Sequence, residues 1–355
     1  MDRLRILVGW LAAIAIAAPA ATPYPVVRPG IVLRFPADHG AHPQFRTEWW
    51  YVTGWLRTAS GQDLGFQVTF FRTRPQGNEG NPSRFTARQL MFAHAALSDA
   101  ATGRLLHGQR AARAGFGLAG ARTNDADVEI RDWRLHRSPT GRWAARVNAD
   151  GFGLALDFQP IQSPLLQGQG GYSRKGPDPK QASYYYSIPH LRVSGRVRRG
   201  NHLEAVTGEA WLDREWSSDY LASDAQGWDW TGLNFDDGSA LMAFRIRRKG
   251  GGTIWAGGSY RRSGGTVAVL GPGDVSFRTL ATWRSPATGA VYPVKQQIDI
   301  RIDGRIASWI LQPMFAAQEL DSRRSGLPVY WEGAVSTRGG RGYLELTGYD
   351  QALKM

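Results

Sequence analysis

The sequence predicts an all-β protein in which one antiparallel, barrel-sized unit has been copied and joined to itself. Two observations carry this. Short runs rich in Val, Ile, Thr and aromatic residues, alternating in polarity and cut by Gly, Asn and Asp, recur along the chain, while helix-period segments are nearly absent; such runs are the signature of strands. A series of residue echoes also returns in the same order about 140 to 180 residues later, as a duplicated unit requires.

Trp50-Tyr51-Val52-Thr53-Gly54 leading to Phe71-Arg72 returns as Trp228-Asp229-Trp230-Thr231-Gly232 leading to Phe244-Arg245. Asp127-Val128 and Ser138-Pro139-Thr140-Gly141 return as Asp274-Val275 and Ser285-Pro286-Ala287-Thr288-Gly289. Gln159-Pro160 matches Gln312-Pro313, and Gly195-Arg196-Val197 with Val206-Thr207-Gly208 matches Gly333-Ala334-Val335 with Leu346-Thr347-Gly348.

In chain order, Met1 to Arg5 is short and basic, Ile6 to Ala18 is apolar, and Ala18-Pro19-Ala20 offers a small-x-small cleavage site. Residues 1–20 therefore read as a signal peptide of a periplasmic or secreted protein, with an uncleaved anchor as the alternative. No other long apolar stretch follows, so no stable membrane span is expected after cleavage. A proline-punctuated lead, Pro23 to Pro43, precedes strand-like runs such as Leu64 to Phe71, Leu191 to Ser194 and Tyr343 to Thr347. The best helix candidates are short, Asp178 to Ser183 and Phe315 to Leu320. A polar stretch between Ser217 and Gln226 places the joint, giving units of residues 21–217 and 218–355. An up-and-down barrel of about eight strands hides its edges and holds one small apolar ligand.

Composition removes several function classes. There is no cysteine, hence no disulfide, thiol nucleophile or thiolate zinc site. The formal charge is +13, but the basic residues are scattered singly or in pairs such as Arg198-Arg199 and Arg323-Arg324, without the clustered footprint of a nucleic-acid binder. The seven histidines show no metal-ligand spacing, so neither a metal nor another cofactor is expected. No Gly-x-Ser-x-Gly elbow is present, and Gly168 to Gly171 and Gly250 to Gly252 are loops without a following helix.

Glu48-Trp49-Trp50-Tyr51 with Thr53-Gly54, the run Gly65 to Arg72, Trp211 to Trp216, Gly227-Trp228-Asp229-Trp230, Gln318-Glu319-Leu320 and Tyr330-Trp331-Glu332-Gly333 together resemble the carotenoid 1,2-hydratase (hydroxyneurosporene synthase) and AttH-like superfamily. The resemblance runs from about Phe35 to Tyr349. It implies two tandem lipocalin-like (calycin) β-barrels, and with the leader it points to the exported branch labelled as secreted hydrolases. Members of that branch often accompany ABC-type permeases, which makes such a permease an expected partner. Other members are cofactor-independent hydratases of acyclic carotenoids and pericyclases.

Asp213, Glu215, an arginine and four tryptophans crowd into Trp211 to Trp230; charges share a dry space with aromatics only when paired or protonated. Hydrating an isolated alkene needs an acid to protonate carbon, aromatic faces for the cation and a base for the water. Asp213, among Trp211, Trp216 and Trp230, is the candidate acid, with His190 and Glu215 as the other catalytic candidates. In a strand Asp213 and Glu215 share a face and Arg214 takes the other, so an ion-paired network locking the barrels together is the competing reading. Glu48 and Glu332 follow the same aromatic-carboxylate pattern and read as structural. His94 is a candidate proton shuttle or core histidine. The candidate ligand-binding residues are Trp50, Tyr51, Gln67, His94, Tyr186, Trp211, Trp216, Trp228, Trp230 and Trp331. The leading expectation is an exported binding protein for a hydrophobic small molecule or lipid; the alternative is a cofactor-independent hydratase or hydrolase.

Overall fold

The computed structural model describes residues 23–77 and 81–353; the expected signal peptide, residues 1–20, lies outside them. Antiparallel sheet dominates. In spatial order the first sheet runs Arg104–Arg113, Leu90–Asp99, Asp63–Thr73, Thr47–Thr58, His202–Asp219, Ala182–Arg199, Phe152–Pro160, Trp143–Asn148, Trp133–Arg137, Asp127–Ile130 and Ala119–Ala121. The second runs Val267–Leu270, Thr253–Arg261, Ala240–Arg248, Ala225–Phe235, Gly340–Thr347, Tyr330–Thr337, Arg305–Pro313, Val291–Ile302 and Val275–Arg284. The chain leaves the first sheet at Asp219 and enters the second at Ala225.

Over nine strands the two orders are the same, and the first sheet adds Asp127–Ile130 and Ala119–Ala121 beyond them. In each sheet the opening strand pairs with the closing strand, Thr47–Thr58 with His202–Asp219 and Ala225–Phe235 with Gly340–Thr347, and the next three strands meander outward on one side. The residue echoes thus mark topologically equivalent strands and turns, except Asp127-Val128, whose strand has no counterpart in the second sheet.

Each sheet curls until side chains seal its two ends. In the first, a Cβ on Gly108 would stand 2.9 Å from that of Ala149 and 3.3 Å from the Trp133 ring, so only glycine admits this contact, and Arg110 lies over the same indole. In the second, Arg245 Nη1 donates to the Phe277 carbonyl at 3.0 Å. Both interiors are packed with side chains, Trp50, Trp133, Trp143 and Trp216 in one and Trp331, Leu344, Leu346 and Ile298 in the other. The expected ligand space inside a barrel is therefore filled.

The two helix candidates are not helices. Asp178 closes an Asx turn on the Lys180 N–H at 2.9 Å between Pro177 and Pro179, which a helix would not tolerate there. Glu319–Leu320 instead pairs as a strand with Tyr330–Thr337. The only helical pieces among the described residues are 3-10 turns, Ala37–His39 and Arg323–Ser325.

Each barrel holds one fully buried carboxylate clamped by two arginines. Glu48 pairs with Arg72 and Arg214 and also accepts from the His42 N–H at 2.9 Å. Burial would raise its pKa, but Arg214 and Arg72 hold it below the usual carboxylate range. Asp229 pairs with Arg245 at 2.6 Å and Arg247 at 2.9 Å. Glu48 is thus structural, as its sequence pattern suggests.

Breaking such a clamp strands a dry charge, which costs about 3–5 kcal/mol. Arg214→Met should lower the urea-unfolding free energy by about that much, whereas Arg248→Met, which breaks the exposed pair with Asp224, should change it by less than about 1 kcal/mol.

Candidate active site between the barrels

The strand His202–Asp219 sorts its side chains by parity, as strand geometry demands. Leu212, Arg214 and Trp216 point into the first barrel, while Trp211, Asp213 and Glu215 point toward the second. The same alternation sends Trp50 and Tyr186 inward and Tyr51 and Tyr185 outward, and on the second barrel Trp331 inward and Glu332 outward. Between these outward faces lies a cavity of about 520 Å³.

Its walls are aromatic. Tyr51 meets Trp230 edge-on with ring centres 5.3 Å apart, and Trp49 stacks on Tyr220 at 5.0 Å and on Trp228 at 6.5 Å. Four carboxyls break the apolar lining: Asp213 and Glu215 from the first barrel, Glu332 and Glu345 from the second.

Asp213 is held on every side. Tyr185 Oη donates to Oδ2 at 2.6 Å, the Trp211 indole donates to Oδ1 at 2.7 Å, and Ser187 Oγ also donates to Oδ1. Trp230 in turn donates its indole N–H to Tyr185 Oη at 3.0 Å, tying the opposite barrel into the network. Burial pushes the Asp213 pKa up to about 7; its three donors pull against this and the Glu215 charge reinforces it. Glu215 itself has a cation, Lys175 Nζ at 2.9 Å, and that ammonium also lies over the rings of Phe244 at 4.4 Å and Tyr185 at 4.7 Å.

Glu332 and Glu345 sit directly opposite each other on neighbouring strands. Burial, followed by the Glu345 charge, raises the Glu332 pKa well above its ordinary value. Burial, with the charges of Asp213 and Glu215 and against the Trp228 indole, pushes Glu345 up to about 8. Tyr51 and Tyr330 flank Glu332 and favour its anion, yet Glu332 Oε1 and Tyr51 Oη each lack a well-formed hydrogen bond.

His94 lines the cavity with its nitrogens 2.8 Å from Tyr330 Oη and 3.2 Å from Ser325 Oγ. Burial, helped by His107, drops its pKa to about 3, so at neutral pH it is an uncharged hydrogen-bonding partner.

Of the residues singled out in the sequence, Tyr51, His94, Asp213, Glu215, Trp228 and Trp230 line this cavity, and the others do not. Trp50 donates to the His39 carbonyl at 2.9 Å, Tyr186 bonds His39 Nδ1 at 2.6 Å and Trp216 stacks on His42 at 3.8 Å, all within the first barrel. Trp331 donates to the Ala316 carbonyl from the second core. Their positions are even or odd in the wrong sense. Gln67 donates to Thr69 without reaching the lining, and Trp211 acts on the site only through Asp213.

His190 is remote from the cavity. Held at φ 53° in an irregular part of its strand, it contacts Glu209 and the Ser239 carbonyl at 2.9 Å while its backbone N–H donates to Asn234 Oδ1 at 3.1 Å. Although burial opposes its charge, Glu209 and Ser239 raise its pKa. It latches the barrels together and is no acid or base of this site. The structure adds Lys175, Tyr185, Phe244 and Glu345, which no short motif flagged. Tyr343-Leu344-Glu345-Leu346-Thr347 did carry the period of a half-buried strand, but nothing in it announced a second barrel opposite.

The family model described as AttH-like matches residues 26–349. The chain belongs to the AttH-like family. A crystal structure assigned as an AttH from Nitrosomonas europaea is 52% identical, covering 92% of this chain and all of that one, with a TM-score of 0.85. A kievitone hydratase from Nectria haematococca, 13% identical over 93% of this chain and 97% of its own, superposes with a TM-score of 0.66. CghA bound to Sch210972 is 11% identical over 86% and 89% of the two chains, with a TM-score of 0.53. At those identities the hydratase and CghA establish the shared fold. No curated protein matches the chain.

Asp213 and Glu345 titrate above their unfolded values, so the stability they contribute is complete below about pH 4 and is lost as pH rises through about 7 and about 8. The double variant Asp213→Asn, Glu345→Gln should flatten that loss: between pH 4.5 and 8.5 its urea midpoint should fall less than the parent's.

Proposed function

We propose that this AttH-like protein is a cofactor-independent acid–base enzyme of the hydratase type, acting on an unsaturated, largely apolar small molecule. One observation carries the reading. Asp213 is kept protonatable near neutral pH inside an aromatic hollow large enough for a small ligand, and a general acid works best when its pKa lies near the working pH.

In this reading the Asp213 carboxyl gives its proton to one alkene carbon, the π electrons forming the new C–H bond. The faces of Trp228, Trp230 and Tyr51 stabilise the cation left on the other carbon, and water closes the reaction by forming the C–O bond and releasing a proton. Tyr185, Ser187 and Trp211 act as positioning residues, fixing the carboxyl by their hydrogen bonds. Kinship of fold with a kievitone hydratase is in keeping with this chemistry.

Incubation with a panel of acyclic isoprenoid alkenes in H₂¹⁸O should yield an ¹⁸O-labelled alcohol, detected by mass spectrometry. Asp213→Asn should lower turnover by about 10²-fold or more while tryptophan quenching by the same alkenes persists. Alkenes that bind without incorporating ¹⁸O would instead make the cavity a carrier site for a hydrophobic ligand. We further propose export, on the leader-like residues 1–20; N-terminal sequencing of the protein from the cell envelope or medium is expected to begin near Ala21.

A further inference from the structure

Glu332 and Glu345 are left over by the mechanism. They form a facing pair on adjacent antiparallel strands, where Cβ atoms lie about 4.5–5.5 Å apart, and among the described residues no ion pair reaches either one. Glu215, by contrast, has Lys175, and Glu48 and Asp229 each have two arginines. Two dry carboxyls that close cannot both ionise, so one proton stays between them.

A second observation points to a ligand. Glu332 is 2% exposed and Tyr51 is 6% exposed, both line the cavity, and although the Tyr51 hydroxyl faces the Glu332 carboxyl, neither Tyr51 Oη nor Glu332 Oε1 makes a hydrogen bond of good geometry. Poorly satisfied buried polar atoms are costly, and here they sit at the edge of a hollow where a ligand oxygen would satisfy both. Asp213, on the first barrel, has no comparable vacancy because three donors occupy its oxygens.

We propose that Glu332 and Glu345 form a proton-sharing carboxyl pair that, with Tyr51, holds the hydroxylic oxygen of the reaction: water in the hydration direction, the product alcohol in the reverse. The assignment rests on the hydratase-type reading and supplies its missing base. In its singly ionised form, populated as the pH approaches about 8, the pair accepts a proton from the water as the water lone pair forms the C–O bond to the cation. Asp213, having given its proton to carbon, is then anionic and the pair carries two protons; one returns to Asp213 through water in the cavity, so every proton is accounted for. The surrounding groups leave this role to the pair, since His94 is bonded to Tyr330 and Ser325 and Lys175 is engaged by Glu215.

The test needs no turnover, which separates it from the catalytic reading. Affinities of dodecan-1-ol and dodecane are measured by displacement of the neutral dye N-phenyl-1-naphthylamine from the full chain. The parent should prefer the alcohol by about tenfold, the worth of one good buried hydrogen bond. Glu332→Gln with Glu345→Gln should erase most of that preference while leaving dodecane affinity unchanged. The pair can also be read without any ligand, by ¹³C NMR of labelled glutamate carboxyls. In the parent the two should lose their first proton at one pH and the second far above it, and Glu345→Gln should move Glu332 back toward the ordinary carboxylate range. An alcohol preference that is equal in parent and double variant, or two carboxyls that titrate independently, overturns the assignment even if the protein proves to hydrate alkenes.

Discussion

Each strand that frames the central cavity has to serve two dry environments at once, a packed barrel on one face and a polar-dotted hollow on the other. Period-two alternation is the only means a strand has of doing this, and the run Trp211 to Trp216 shows the consequence. Its even positions carry Arg214 and Trp216 into the first barrel, and its odd positions carry Trp211 toward the second barrel and Asp213 and Glu215 to the cavity. A slip of one residue would exchange the two sets, moving the clamping arginine to the cavity and the acid to the core.

Buried carboxyls in this protein fall into two kinds. Glu48 and Asp229 lie on the barrel side and are neutralised by two arginines each, Asp229 receiving a third bond from Tyr349 Oη at 2.9 Å. They hold opening strands against their neighbours, and the two guanidiniums keep the Glu48 carboxyl ionised. Asp213, Glu332 and Glu345 face the cavity with hydrogen-bond donors but no cation of their own, so burial raises their pKa values instead. The difference between an ion-paired carboxyl and a readily protonated one is thus the presence of a guanidinium, and arginine suits the first role because its planar fork serves two acceptors at once.

Contact between the barrels is built from small residues and polar latches. A Cβ on Gly65 would come within 2.7 Å of that of Ala334 and 2.8 Å of Tyr343 Oη, so the sheets approach as closely as glycine allows. Trp55 donates to the Gly342 carbonyl at 3.0 Å, Asn234 to that of Ala210 at 3.1 Å, and Ser98 to Gln318 Oε1 at 2.9 Å. Gly65 belongs to a run that reads from sequence as an ordinary strand, and the reason for its glycine is visible only across the joint.

The all-β class, the copied unit and the equivalence of Trp50 to Gly54 with Trp228 to Gly232 were legible in the residues alone, because strand period, turn residues and repeat order are local properties of the chain. So was the sorting of Asp213 and Glu215 away from Arg214. Which of the two faces met solvent, core or cavity was not legible. Trp50, Trp216 and Trp331 are no less aromatic than Trp228 and Trp230, and His190 is no less titratable than His94, yet only the second of each set reaches the hollow. Tertiary structure decided that, along with the meeting of Glu332 and Glu345 with Asp213, because the cavity belongs to neither barrel and exists only where the outer faces of two separately folded sheets are brought together.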